Sequence, residues 1–139
     1  FFPGRKSSSI SFRDDRAQLG REGERLAARA LRRAGYRILY RNFRPPGGGE
    51  VDLVARHGDT LVFIEVKSRR SGQFGAPVEA VTPGKQALIV RGAVAWLQLL
   101  RKPGIPVRFD VVEVRFPACG KPEINIIENA FARPAELHI

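Results

Sequence analysis

Apolar residues recur at helical spacing between about Arg16 and Ala34, at Leu19, Leu26, Ala27, Ala30, Leu31 and Ala34, and Gly35 follows as a stop signal. This spacing predicts a first helix. Tyr36 to Phe43 changes to a period of two, with Tyr36, Ile38 and Tyr40 alternating against Arg37, Leu39 and Arg41. It predicts a strand that ends before the breaker Pro45-Pro46-Gly47-Gly48-Gly49. Glu50 to Arg56 and Thr60 to Lys67 are two further strands around His57-Gly58-Asp59, in which Gly58-Asp59 suits a hairpin turn. Thr82 is placed to cap a second helix with Pro83 in its first position. Leu88, Ile89, Gly92, Ala93, Trp96, Leu99 and Leu100 supply its apolar face, and Pro103-Gly104 ends it. Val107 to Phe116 and Ile124 to Asn129 are strands four and five. The order α-β-β-β-α-β-β, with no internal repeat and no dividing linker, predicts an α/β protein whose central mixed sheet is flanked by helices. Residues 1–14, rich in Ser, Gly and charge, are expected to form a flexible basic arm ahead of a single domain over 15–139.

Composition narrows the class. A chain of 139 residues with 43% hydrophobic residues is enough for one core. Its single cysteine, Cys119, excludes an internal disulfide and a thiolate metal cluster. No apolar run approaches the roughly 18 residues of a membrane span, and the opening Phe1-Phe2-Pro3-Gly4-Arg5-Lys6 lacks the apolar stretch of a signal peptide. A cytoplasmic location with no membrane partner is therefore expected. The sequence contains no Met, so the initiating residue is expected to be missing from it.

The net charge of +10 points to an anionic partner. Residues 1–46 hold 12 basic and 4 acidic side chains, so the excess is N-terminal. At 100° per residue Arg21, Glu22, Arg25, Arg29 and Arg32 gather on the helix face away from the apolar stripe. Glu24 falls at the margin of that stripe, near Gly20 and Leu31, where it can look into a cleft beside the core. Glu22 is by contrast an ordinary surface residue among arginines.

Chemistry concentrates in Gly49-Glu50-Val51-Asp52-Leu53 and Glu65-Val66-Lys67. Side chains of a strand alternate faces, so Glu50 and Asp52 share one face of their strand and Glu65 and Lys67 one face of theirs. A two-residue turn at Gly58-Asp59 sets Asp52 across from Glu65 and Glu50 across from Lys67. Two carboxylates roughly 5 Å apart across a ladder repel each other, yet these interrupt strands rich in Val, Leu, Ile and Phe. Hard Mg²⁺ or Mn²⁺ would compensate, since such ions take carboxylate, carbonyl and water oxygens beside phosphate. Lys67 would then hold a water or stabilise charge on a phosphate, which points to metal-assisted phosphodiester hydrolysis. The alternative is an ion-pair cluster on a solvated hairpin face, with Val62, Ile64 and Val66 facing the core. Leu61 and Phe63 lie on the face of Glu65 and argue against it.

Arg69 and Arg70, followed by Ser71-Gly72-Gln73-Phe74-Gly75, read as a loop at the mouth of this site, gripping flanking phosphates or simply mobile. Lys85 and Gln86 fall in the first turn of the second helix. The helix dipole does not favour a cation there, so a role toward substrate is expected for Lys85 and also considered for Gln86, alongside a plain surface position. Gly84-Lys85 lacks the hydroxyl residue and glycine spacing of a phosphate-binding loop. Asp110 either supports a ligand or pairs with Arg108. Trp96 is core, and Tyr36 and Phe43 are core or edge residues. His57, His138 and Cys119 have no ligand-spaced or catalytic partners.

Gly49-Glu50-Val51-Asp52 with Glu65-Val66-Lys67 resembles the active-site signature of the PD-(D/E)xK nuclease superfamily, in the form seen in archaeal Holliday-junction resolvases. The stretch from Leu19 to about Phe131 resembles the YraN-like family of bacterial predicted nucleases. Carrying that resemblance are Gly20 to Glu24, Gly35-Tyr36, Arg41-Asn42, Phe63 to Lys67, Phe74-Gly75, Lys85 and Arg108 to Val112. The resemblance implies a restriction-endonuclease-like, three-layer fold. It implies Asp52 and Glu65 as metal ligands, the Val66 carbonyl as a further ligand, Lys67 as the catalytic lysine, and Glu24 joining the site directly or through water. Its implied function is a Mg²⁺- or Mn²⁺-dependent endonuclease acting on DNA, with branched DNA as a substrate and a homodimer as the assembly. The alternative is a non-catalytic nucleic-acid-binding or scaffold protein of the same fold in DNA repair, recombination or uptake, using the basic helix at Arg21, Arg25, Arg29 and Arg32.

Overall fold

A computed structural model of the chain describes residues 12–72, 81–102, 104–132 and 134. Its elements are α1 (Phe12–Arg33), β1 (Arg37–Phe43), β2 (Val51–His57), β3 (Thr60–Arg70), α2 (Pro83–Leu100), β4 (Val107–Phe116) and β5 (Glu123–Ile127). The order is the one the hydrophobic pattern predicts. Helix α1 begins about a turn earlier than its apolar periodicity indicates; the rest of the arm expected over residues 1–14 lies outside the described residues. Phe74, Gly75, Pro103 and His138 also lie outside them.

The strands form one sheet in the order β1-β2-β3-β4-β5. Its pairs are antiparallel except β3 with β4, which is parallel. Short turns suffice for the antiparallel neighbours, whereas a parallel pair needs a crossover, and α2 provides it. Helix α1 covers one face and α2 the other. This three-layer α/β arrangement has the element order of a restriction-endonuclease-like core.

Both faces of the central strands are buried, which is why β3 is a nearly unbroken apolar run from Leu61 to Ile64. Leu61 and Phe63 pack toward α2 with Phe109, Val111, Ile89, Ala93 and Leu97. Val62 and Ile64 pack toward α1 with Leu53, Ala55, Val112, Val114, Ala27 and Leu31. Full burial of side chains such as Phe63, Phe109 and Leu31 contributes about 1.5–3 kcal/mol each.

The helices seat slightly off the predicted stripes. The buried row of α1 is Gly23, Ala27 and Leu31, with Ala28 beside it. Residues four apart stack on one face, so Glu24 shares its row with buried Ala28 and is turned inward. On α2 the buried row is Ile89, Ala93 and Leu97, while Leu88, Leu99 and Leu100 are exposed. Thr82 Oγ1 accepts the Lys85 amide and Pro83 occupies the first turn, as expected.

Two glycine contacts bring the layers close enough to build a site. A Cβ on Gly23 would lie 1.8 Å from Ser68 Oγ, so the missing side chain lets α1 approach β3 beside Lys67. A Cβ on Gly49 would lie 2.5 Å from the backbone nitrogen of Gly92, so the segment leading into β2 touches α2 backbone to backbone.

In β4, opposite Ile64, Asp110 is fully buried and structural. It takes both ends of the Arg108 guanidinium at 2.8 and 2.9 Å, the Tyr36 hydroxyl at 2.8 Å and the Asn129 amide at 2.9 Å. Among the described residues no helix is long and apolar enough to cross a membrane.

Candidate functional site

The register of β2 on β3, from His57 opposite Thr60 to Leu53 opposite Ile64, is the one a two-residue Gly58-Asp59 turn dictates. One step further Asp52 comes beside Glu65. There the strands part, and Asp52 Oδ2 accepts the Val66 amide at 2.8 Å, so a side chain replaces the next rung of the ladder. Strict alternation also fails. Val51 packs toward α2 together with Val54, although Leu53 and Ala55 face α1. Its partner strand carries Asn42 at φ 53°, and this left-handed residue twists the end of the β1–β2 ribbon.

Glu50 is consequently not opposite Lys67, as alternation implies. Gly49 at φ 110° turns the chain onto α2, where the Glu50 amide donates to Leu88 O at 3.0 Å. The Glu50 carboxylate lies 3.2 Å from Lys85 Nζ and 3.4 Å from Arg44.

Glu24, Asp52, Glu65, Val66 and Lys67 line one cleft of about 700 Å³, with Arg16, Arg44 and Arg70 also on its walls. Glu65 is buried. Its Oε1 lies 3.6 Å from Lys85 Nζ and 3.7 Å from Lys67 Nζ, while its buried Oε2 receives no hydrogen bond. Burial, and then the neighbouring Asp52 carboxylate, push the Glu65 carboxyl up to about 8 despite the opposing lysines. Glu24 is also raised, by burial and then by Asp52, with the Asn42 amide and Arg44 pulling the other way.

These shifts set a pH dependence. Glu65 binds its proton more tightly folded than unfolded, so its contribution to stability is full below about pH 4.5 and is lost as pH rises toward about 8. In metal-free buffer the unfolding free energy is expected to fall through that window by up to about 1.4 kcal/mol per pH unit. Urea unfolding at a series of pH values measures the slope, which Glu65→Gln should flatten; a profile identical in the two proteins would show that Glu65 is not the titrating group.

The basic residues divide. Arg21, Arg25 and Arg29 are exposed on the outer face of α1, and Arg25 pairs with Glu22 at 2.6 Å, as the helical wheel implies. Lys85 does reach the carboxylates. Arg69 and Arg70 are not in a loop but close β3, because the parallel ladder with β4 runs on to Arg70 opposite Phe116. Arg69 is buried with Glu113 at 3.7 Å, whereas exposed Arg70 reaches across the cleft to Asp15. Gln86 stays away from the carboxylates: its amide donates to Val81 O at 3.1 Å. Sequence reasoning passed over Glu113 and Arg44 and gave Asn42 no role in the site. The available signal for Glu113 was a carboxylate inside the Val-rich β4, opposite Lys67 in the parallel register.

The donor set suits a hard cation. Asp52 and Glu65 present carboxylate oxygens side by side, and a buried Glu65 oxygen without a donor is an atom that an ion would satisfy. Among the described residues no three His, Cys, Asp or Glu side chains converge as metal ligands. Two carboxylates supplemented by a carbonyl and water are typical of Mg²⁺ rather than of Zn²⁺.

Residues 23–114, from within α1 to within β4, match the family described as Uncharacterised protein family UPF0102. A UPF0102 protein of Geobacter sulfurreducens is 50% identical over 113 residues, covering 81% of this chain and 88% of that protein. A UPF0102 protein of Caldicellulosiruptor saccharolyticus is 45% identical over 118 residues, 84% of this chain and 99% of that protein. A third, from Rhodococcus opacus, is 48% identical over 113 residues, 81% and 95% of the two chains. The matched segment contains Glu24, Asp52, Glu65, Lys67 and Lys85, and on this similarity the chain belongs to the UPF0102 family.

Proposed function

We infer that this protein is a Mg²⁺- or Mn²⁺-dependent endonuclease that hydrolyses phosphodiester bonds in DNA. The observation that carries the reading is the buried Asp52–Glu65 pair, costly without a cation, with Lys67 on the same cleft wall. The fold order and the resemblance to PD-(D/E)xK nucleases agree with it, and the resolvase-like form of the motif makes branched DNA the first substrate to try.

Asp52, Glu65 and the Val66 carbonyl would hold the ion. When bound, it would polarise the phosphodiester and lower the pKa of a water near it. Lys67, tethered by Glu65 at 3.7 Å, orients the attacking water and offsets the charge that builds on the phosphoryl oxygens. Glu24, on the facing wall and raised by burial, takes or returns a proton through water. Arg16, Arg44 and Arg70 give the cleft a basic rim for neighbouring phosphates, and Arg21, Arg25 and Arg29 add positive charge on the outer face of α1.

The test is incubation with linear, flapped and four-way DNA in Mn²⁺, Mg²⁺ or EDTA. The wild type is expected to cut only with metal. Lys67→Ala should lose at least ~100-fold in rate, the lower bound for a general acid–base group, with DNA binding largely kept. Equal cleavage by Lys67→Ala would overturn the site assignment. Salt-sensitive binding with no products on any substrate would make the protein a binding module instead.

A further inference from the structure

Lys85 reaches Glu50 and Glu65 from the first turn of α2, whose start is capped by the bond from its amide to Thr82 Oγ1. A cation in this turn opposes the helix dipole, and the turn contains no acidic residue to offset it. Two carboxylates from other elements hold it instead. Its Nζ lies 3.2 Å from Glu50 Oε1 and 3.6 Å from Glu65 Oε1. Lys67 Nζ lies 3.7 Å from the same Glu65 oxygen, so two ammonium groups converge on one oxygen while Oε2 receives none. Together they bring two positive charges to the carboxylate pair, the charge of one divalent ion.

The two lysines differ in what else they can hold. Among the described residues Lys67 pairs with Glu65 alone, whereas Lys85 has a second carboxylate, Glu50, more exposed than Glu65 and nearer the cleft rim. An ion between Asp52 and Glu65 repels both ammonium groups, and Lys85 can leave Glu65 without losing its last counter-charge. An ammonium carries three donors, and the ones released from Glu65 become available to a phosphate in a cleft that Arg16, Arg44 and Arg70 also line. Building on the metal-dependent reading above, we propose that Lys85 is the resident counterion of the Asp52–Glu65 pair, exchanged for the divalent cation and thereby freed to bind a substrate phosphate from its seat on Glu50. Cation and DNA binding are then coupled, each strengthening the other through Lys85.

The test is titration of Mn²⁺ into the metal-free protein at fixed pH, together with DNA affinity in Ca²⁺ and in EDTA. Removing the competing charge, Lys85→Met is expected to bind Mn²⁺ about 3-fold tighter or more, and to lose most of the gain in DNA affinity that the cation gives the wild type. Glu50→Gln, which leaves Lys85 only Glu65, should bind Mn²⁺ more weakly, and this effect should vanish when Lys85 is already Met. A merely structural lysine predicts weaker binding in Lys85→Met. Unchanged or weaker Mn²⁺ affinity in a folded Lys85→Met protein, with wild-type binding that depends on Asp52, overturns this inference alone. If Lys85→Met does not fold, Glu50→Gln binding Mn²⁺ as well as the wild type overturns it. A wild type that takes up no Mn²⁺ overturns the metal reading and this inference with it.

Discussion

Asp52→Asn is expected to bind Mn²⁺ at least ~100-fold more weakly than the wild type, beyond the 10–100-fold that loss of a merely supporting residue costs. The same substitution should stabilise the metal-free protein. Asp52 raises the Glu65 carboxyl, so its charge is a cost to the empty fold that grows with pH. The asparagine amide oxygen can still accept the Val66 amide, so the side-chain rung that closes β2 onto β3 survives. Calorimetric titration measures the first effect and urea unfolding in EDTA above about pH 8 the second, where the gain is largest. Opposite signs for binding and stability are the mark of a residue kept for function at the expense of the fold. A variant that is less stable and binds Mn²⁺ as the wild type does would make Asp52 a strand cap and nothing more.

Much of this site is legible because β-structure converts spacing into distance. Once Gly58-Asp59 is identified as the turn, the register follows, and with it the meeting of Asp52 and Glu65. The helical wheel separates Glu24 from Glu22 for a similar reason, since a row four residues apart either faces the core or does not. The misplacement of Glu50 has a local cause that periodicity does not contain: Gly49 at φ 110° and Asn42 at φ 53° redirect the backbone just where the strands part. Arg69 was misread as a loop residue because its polar character says nothing about the β4 ladder that buries it against Glu113. Lys85 shows the remaining limit. Its position in the first turn of α2 was readable, but its approach to Glu50 and Glu65 depends on how closely the helix sits on the sheet, a tertiary quantity set by Gly49 and Gly92.

That contact makes Gly49 the most sensitive backbone position of the site. Gly49→Ala is expected to destabilise the protein by about 3 kcal/mol or more, from two sources that add. An L residue at φ 110° is strained by about 1–3 kcal/mol. Its Cβ would also stand 2.5 Å from Gly92 N and 2.8 Å from Gly92 Cα, backbone atoms that cannot rotate away, at an overpacking cost of about 1–3 kcal/mol. Gly92→Ala meets Val51 Cγ2 at 2.7 Å and the Glu50 amide at 3.2 Å, with no positive φ to add, so it should cost less. Gly47→Ala, two residues before Gly49 and with open space around it, should be close to neutral. Thermal unfolding of the three variants would give the order. Relief of the clash moves the segment off α2, carrying Glu50 from Lys85 and Asp52 from Glu65, so residual folded Gly49→Ala should also bind Mn²⁺ more weakly. Equal stability of Gly49→Ala and Gly47→Ala would mean that α2 does not rest on this segment. The distance from Lys85 to the carboxylates would then need another cause.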